Sequence, residues 1–464
     1  MDKKIIYGTL SAISILVVIV ALVFVNLIVE KLNIQVDLTP KEMYSISDKT
    51  KQALSEVTDD TTIYVLSQTG KEDSTIKQIL EEYDSNCSKL SIEYKDPYVY
   101  PAFAKDFAEN NEDIANDSLI VVCGDKHKVI SPSSLYQVQA DYQTGSYQTT
   151  GITAESEITN AIKYVSMDKT PVIYYVSGHN ELNMSETLKS EYEKMNFQIK
   201  TLNIAKNDGV PEDCDILFMT TPAVDYTDDE AQKVIDYLAN DGRAEVFVDW
   251  GQEIPNFNKI LSAYGVQPQN SIICEGDKDH YINNPVNVMP IIQKTDVTAD
   301  LASSDYQMII PMGQGIKTTD VTKSSINIES LLKTTSSAYG KTSKDPKSIN
   351  FEDGDEKGPF DIAVAITDSY YTDKNHTTKL VVCGSSIILQ DQGMTQGSLT
   401  FAINSASWLK GEASSIYIPP KSLEQETISI PDGTKENITI FVCAVMPIII
   451  FGIGVYVWYK RRYS

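Results

Sequence analysis

Apolar positions form one long unbroken run near each end of the chain, and between these runs they switch between a period of two and a period near 3.6. The first run, residues 5–29, carries no charge, and Asn26 is its only strongly polar side chain. The second, residues 438–458, is also uncharged and contains Pro447, a kink that membrane helices tolerate. Each is long enough to cross a hydrocarbon core of ~30 Å as a helix. The first has a longer apolar core than a signal peptide and no small-x-small cleavage site, so it reads as an uncleaved anchor. Lys3 and Lys4 precede the first run, and Lys460, Arg461 and Arg462 follow the second. The positive ends predict a two-pass plasma-membrane protein, with a cytoplasmic tip (1–4), a cytoplasmic tail (459–464) and the main body outside.

The body itself reads as α/β. Residues 30–150 hold strands at 61–66 and 90–94, a helix at 74–83, a helical turn at 103–108, and a hairpin of 118–123 with 128–130 closed by Gly124-Asp125. That order, β-α-β-α-β-β, predicts a thioredoxin-like domain, with 131–150 as a polar surface linker. A second domain spans 151–415. It begins with a helix over 152–165, and the near-continuous apolar strand 172–176 suits a sheet covered on both faces. Strands at 197–202, 215–219 and 244–248 alternate with helices at 185–195 and 227–240, which predicts a doubly wound α/β unit. Residues 275–360 read as a loop-rich insertion with some strands. Strands at 361–366 and 379–383 and a helix at 398–409 follow. A polar tether, 416–437, leads to the second span.

Charge refines this organisation. The 464 residues include 39 Lys+Arg and 64 Asp+Glu, a net charge of −25. Setting aside Asp2 and the five terminal basic residues leaves 34 basic and 63 acidic groups in the body, or −29. Such a surface excludes a nucleic-acid partner, because phosphate binding needs a surplus of Lys and Arg on one face. It also repels anionic lipid heads and polymers.

Most catalytic signatures are missing. Gly340-Lys341-Thr342 supplies the end of a phosphate-binding loop, but Thr335 stands where its first glycine belongs. There is no Gly-x-Ser-x-Gly elbow and no cysteine on the turn after 215–219; Cys214 precedes that strand. The widely spaced cysteines form no CxxC pair, and the four histidines have no metal spacing. Asp228-Asp229-Glu230 suits the positive end of a helix, and 352–356 reads as a solvated acidic loop. No metal and no cofactor are expected. The one arresting group is Ser177-Gly178-His179-Asn180-Glu181, just past the buried strand 172–176, at the carboxyl edge where doubly wound sheets bind ligands. Its readings are a ligand or partner contact, or a loop that His179 and Glu181 stabilise by bonding local backbone.

The anchor is followed by Asn33, then Asp37-Leu38-Thr39, then Tyr44-Ser45-Ile46-Ser47 and Thr50. With Gly178-His179-Asn180-Glu181, and with Gly384-Ser385 ahead of Asn404 and Trp408-Leu409, this succession resembles the GldG family, auxiliary subunits of ABC-2-type transport systems named from gliding motility. Asn180 stands where relatives often carry Gly, and the last motif is slightly short. The resemblance implies separate ABC ATPase and ABC-2-type permease partners, a non-catalytic amidotransferase-like sheet, and structural or interface roles for Asp37, Leu38, Thr39, Tyr44, Ser45 and Ser47. The leading expectation is a non-enzymatic, membrane-anchored auxiliary subunit whose external body binds substrate, a cell-envelope component or the permease. The competitors are a stand-alone envelope sensor or adhesin, and an envelope hydrolase using His179 and Glu181.

Overall fold

The computed structural model describes residues 43–108, 113–141, 146–304, 306–319, 323–342, 348–411 and 418–423, and the isolated residues 18, 39, 454 and 462. Apart from the isolated residues 18 and 454, both expected spans, 5–29 and 438–458, lie outside the described residues, as do Asp37 and Leu38. Among the described residues no helix is long and apolar enough to cross a membrane. The chain divides into two units, 1–137 with 152–421, and 138–151 with 422–464. The expected linker 131–150 is not a loop: a short 3-10 turn, Pro132–Leu135, precedes the neighbouring strands Tyr136–Asp141 and Ser146–Ile152. Their Tyr-, Thr- and Gln-rich sequence pairs through the backbone, so the strand needs no apolar face to form.

In the larger unit the first lobe runs α1 (Asp48–Ser55), β1 (Thr61–Val65), α2 (Ser74–Asn86), β2 (Leu90–Tyr94), β3 (Leu119–Cys123) and β4 (Lys126–Ile130). The sheet order is β2-β1-β3-β4, with β1 parallel to β2 and antiparallel to β3. Asp73 caps α2 by accepting from the Thr75 and Ile76 amides. Ile76, Ile79, Leu80 and Tyr83 line one side of α2 at helical spacing and fill the core with Ile63, Leu119 and Val121. Helix α3 (Ala154–Ser166) joins the same core through Ile158, Ala161, Ile162 and Val165.

The second lobe is built on β5 (Val172–Ser177), α4 (Glu186–Lys194), β6 (Gln198–Asn203), β7 (Ile216–Thr220), α5 (Asp228–Ala239), β8 (Arg243–Phe247), α6 (Pro255–Ala263), β9 (Val266–Cys274), β10 (Ile291–Ile292), β11 (Gln314–Thr318), β12 (Ile326–Lys333), β13 (Tyr339–Lys341), β14 (Glu356–Lys357), β15 (Asp361–Tyr371), β16 (Asn375–Cys383) and α7 (Gln396–Lys410). Eight of these strands form one sheet, ordered β10-β12-β15-β16-β8-β7-β5-β6. From β16 to β6 the neighbours are parallel, whereas β15, β12 and β10 add antiparallel. The doubly wound expectation therefore holds for half of the sheet. The remainder is antiparallel because β15 and β16 form a hairpin, needing no crossover helix. Strand β12 lies within the segment read as loop-rich. Its pattern is masked because only Leu331 and Leu332 are fully buried along it. A second sheet, β11-β9-β13-β14, also arises mainly from that segment.

Both faces of the parallel half are covered. Ile173 and Tyr175 of β5 pack with Leu188 and Tyr192 of α4 and Phe401 of α7. Tyr174 and Val176 pack on the other face with Val234 and Leu238 of α5 and Phe257 of α6. Where the last strands end, Gly384 passes so close to its neighbour that a Cβ would lie 2.0 Å from the Gln314 carbonyl oxygen, so the chain accepts only glycine there.

Candidate functional site

The chain leaves β5 toward β6 on one side and returns to β7 on the other, with α4 and α5 on opposite faces. The gap between β5 and β7 is thus a topological switch point, and residues 177–181 sit at its carboxyl edge. The backbone there is forced. Gly178 has φ +127°, and a Cβ on it would meet the Asn203 side-chain amide at 2.8 Å. Asn180 follows in the left-handed region at φ 57°. These two turns bring His179 back under the sheet edge, where its carbonyl accepts from the Ala223 and Val224 amides at 2.9 and 3.1 Å. The loop after β5 is thereby tied to the loop after β7. Gly178→Ala is expected to cost about 1–3 kcal/mol in urea unfolding, because an L residue must occupy that φ.

His179 lies between two carboxylates. Nδ1 is 3.5 Å from Glu181 Oε1, and Nε2 is 3.3 Å from Glu230 Oε2. All three side chains are buried, the imidazole being 11 % exposed. Both acids also serve the backbone. Glu181 Oε2 accepts from the His179 amide at 2.7 Å. Glu230 completes a capping box with Thr227, whose amide and hydroxyl donate to Glu230 Oε2 at 2.7 and 2.9 Å. Burial pushes the Glu230 carboxyl up, but those Thr227 donors and the imidazole outweigh it and hold it below the ordinary range. The Tyr226 ring packs on His179 at 4.8 Å and then on Phe257. Burial, and after it the charges of Glu181 and Glu230, push the Tyr226 phenol well above its usual value. The rim left in solvent is Asn180, Leu182 and Val224.

The sequence places His179 and Glu181 together, and the structure joins them. Glu230 is the member the reading missed. Its helix-start position explains it fully as a dipole or capping residue, and nothing local indicates that α5 begins beside β5.

The other motif positions serve a different place. Met43 donates its amide to Thr39 Oγ1 at 2.9 Å, and Tyr44 is half-buried. Ser47 caps α1, and its amide donates to Glu155 Oε1 at 2.6 Å; the Thr50 hydroxyl donates to the same oxygen at 2.7 Å. On the other oxygen, Lys421 Nζ lies 3.0 Å from Glu155 Oε2, and it also donates to the Ser45 carbonyl. Ile418 packs on Ala53 nearby. One buried carboxylate therefore holds residues from the beginning and the end of this unit.

The remaining chemical candidates are occupied. Lys341 is a buried cation paired with Glu352 at 3.0 Å and Asp355 at 2.8 Å; the acidic loop 352–356 is exposed as expected except at Asp355, whose carboxylate turns in to meet this ammonium. Burial pushes the Cys214 and Cys383 thiols up to about 12. Among the described residues no group of three His, Cys, Asp or Glu is arranged to hold a metal ion.

Residues 170–406 match the family of auxiliary components described as an ABC-type uncharacterized transport system, and residues 41–144 match a domain of unknown function. No curated protein matches the chain. Among solved structures, the mmIFT52 N-terminal domain is 18% identical, covering 53% of this chain and 100% of its own, with a TM-score of 0.39. A putative GMP synthase component from Thermoplasma acidophilum is 10% identical, covering 52% and 96%, at 0.29. An exo-β-1,4-mannosidase from Opitutaceae bacterium strain TAV5 is 7% identical, covering 72% and 47%, at 0.25. These scores are too low for any of the three to inform function.

Proposed function

Since this chain belongs to the family of ABC-type transport-system auxiliary components, we propose that it is a non-catalytic, GldG-like subunit that joins a separate ATPase and an ABC-2-type permease. Its apolar segments 5–29 and 438–458 anchor it in the plasma membrane with both termini in the cytoplasm, and its −29 body stands outside. The observation that carries the non-catalytic reading is the closed state of the His179 cluster. A general acid or base must reach a reacting atom, and both carboxylates beside this imidazole are buried and already accept backbone hydrogen bonds. The cluster instead stiffens the switch point and presents Asn180, Leu182 and Val224 as a contact rim for permease or envelope.

The test is co-purification of the tagged full chain in mild detergent. The reading expects the ATPase and permease in the eluate at fixed ratio, and Asn180→Arg at the rim to reduce their recovery several-fold. A chain that elutes alone overturns the partnership. Loss of a hydrolytic activity in His179→Ala, with the partners still bound, overturns the non-catalytic reading.

A further inference from the structure

A groove of about 360 Å³ lies between α3 of the first lobe and α4 of the second, and Ile418 and Pro420 form part of its wall. Two acids, Glu157 and Glu191, and one cation, Lys194, are among the residues that line it. Lys194 Nζ is 2.5 Å from Glu191 Oε1, so the cation in the groove is already engaged. Glu157 faces the same space, and its carboxylate has no hydrogen bond or ion pair among the described residues. Burial pushes that carboxyl above the ordinary range; Lys194 pulls it down, Glu191 pushes it further up, and Lys128 pulls it down slightly, without offsetting the burial. A carboxylate in this state gains from any cation that arrives. The hydroxyls of Ser156 and Thr187 line the groove beside it.

We propose that this groove binds a small ligand carrying a primary ammonium group on a hydroxyl- or amide-bearing scaffold, with Glu157 receiving the ammonium. An ammonium offers three donors, and a carboxylate flanked by hydroxyl oxygens can accept them together. The volume suits a single sugar or a very short peptide. Leu399, Ile418 and Pro420 supply an apolar wall for the scaffold. Because Ile418 and Pro420 immediately precede Lys421, which Glu155 holds, a filled groove also buttresses the segment by which the chain leaves this unit. The inference stands on the groove and does not depend on the transport reading.

The test titrates the full chain, in a non-ionic detergent, with D-glucosamine and with L-lysinamide by calorimetry. N-Acetylglucosamine, which has the amine blocked, is the control. At least one of the two amines binds, and the better one identifies the scaffold as sugar or peptide. The control binds at least tenfold more weakly than glucosamine if the sugar is preferred. Glu157→Gln weakens the better amine at least tenfold, and so does Thr187→Arg, a change at an exposed helical position that leaves the fold intact. Amide exchange over 418–423 slows when the amine is bound. Binding of neither amine at millimolar concentration overturns the proposal. So does a blocked sugar that binds as tightly as glucosamine, or a Glu157→Gln chain with wild-type melting temperature and unchanged affinity. None of these outcomes bears on recovery of an ATPase or permease.

Discussion

The chain is expected to lose about 5 kcal/mol of stability between pH 4.5 and pH 8 through one side chain, and Glu245→Gln is expected to abolish that loss. Glu245 is fully buried in β8, with its carboxyl in the core beside α4. The Tyr192 hydroxyl donates to Oε2 at 2.8 Å, and Oε1 has no hydrogen-bond partner. Burial pushes the group from its ordinary 4.5 up to about 8, with Tyr192 pulling it down only in part. Below pH 4.5 the folded and unfolded chains both hold the proton, and the protonated form's stability is fully present. Between pH 4.5 and 8 the unfolded chain ionises while the folded chain keeps its proton, so stability falls by ~1.4 kcal/mol per pH unit. Above pH 8 both are ionised and the slope ends. Asp249, also pushed up by burial, adds a slope of the same sign. The measurement is therefore the difference between wild-type and Glu245→Gln urea unfolding free energies across this range. Glutamine keeps an acceptor for Tyr192 and cannot titrate. Parallel stability curves for the two chains would falsify the assignment.

Glu155→Ala is expected to destabilise the larger unit by about 3–5 kcal/mol, the range for removing one member of a buried ion pair. The carboxylate serves the Ser47 amide, the Thr50 hydroxyl and Lys421 Nζ at once. Its loss takes the acceptor from the part-buried Ser47 amide and the Glu155 charge from a largely buried ammonium, since the Lys421 side chain is only 16% exposed. Glu155→Gln, which retains an acceptor for Ser47 and Thr50, is expected to cost less. Because residues 45–50 and residue 421 share this group, the mutations couple. Lys421→Met should add much less to Glu155→Ala than it costs alone, and exchange at the Ser47 amide should quicken in either variant. Strict additivity in the double-mutant cycle removes the shared lock.

The two cases differ in what the sequence reveals. In AEVFV, residues 244–248, the sequence marks a strand, in which a lone carboxylate ordinarily faces solvent. The strand is instead covered on both sides, by α7 and α4 on one and α5 on the other, and the carboxyl has nowhere to go. At 45–50 the motif itself is plain, and Ser47 capping α1 is readable from its position before Asp48. That it serves a carboxylate 108 positions away is not. The position of β12, inside a segment read as loop-rich with some strands, is hidden for a related reason. With only Leu331 and Leu332 fully buried, and Ile326 and Ile328 packed on the core while partly exposed, the strand has no continuous apolar run to announce it, and its place in the sheet comes from pairing with β15.

Local periodicity, capping and charge sufficed for the α/β character of both lobes, for most of the strands and helices from 61 to 248, and for His179 and Glu181 as neighbours at a sheet edge. These features depend on residues a few positions apart, where the side-chain period and the cap geometry act directly. Only the tertiary structure brings Glu230 to His179, turns half of the sheet antiparallel, buries Glu245, and joins residues 45–50 to Lys421 through Glu155. Each of these depends on which elements become neighbours. That choice is made by burying whole faces against one another, and no local stretch of sequence contains it.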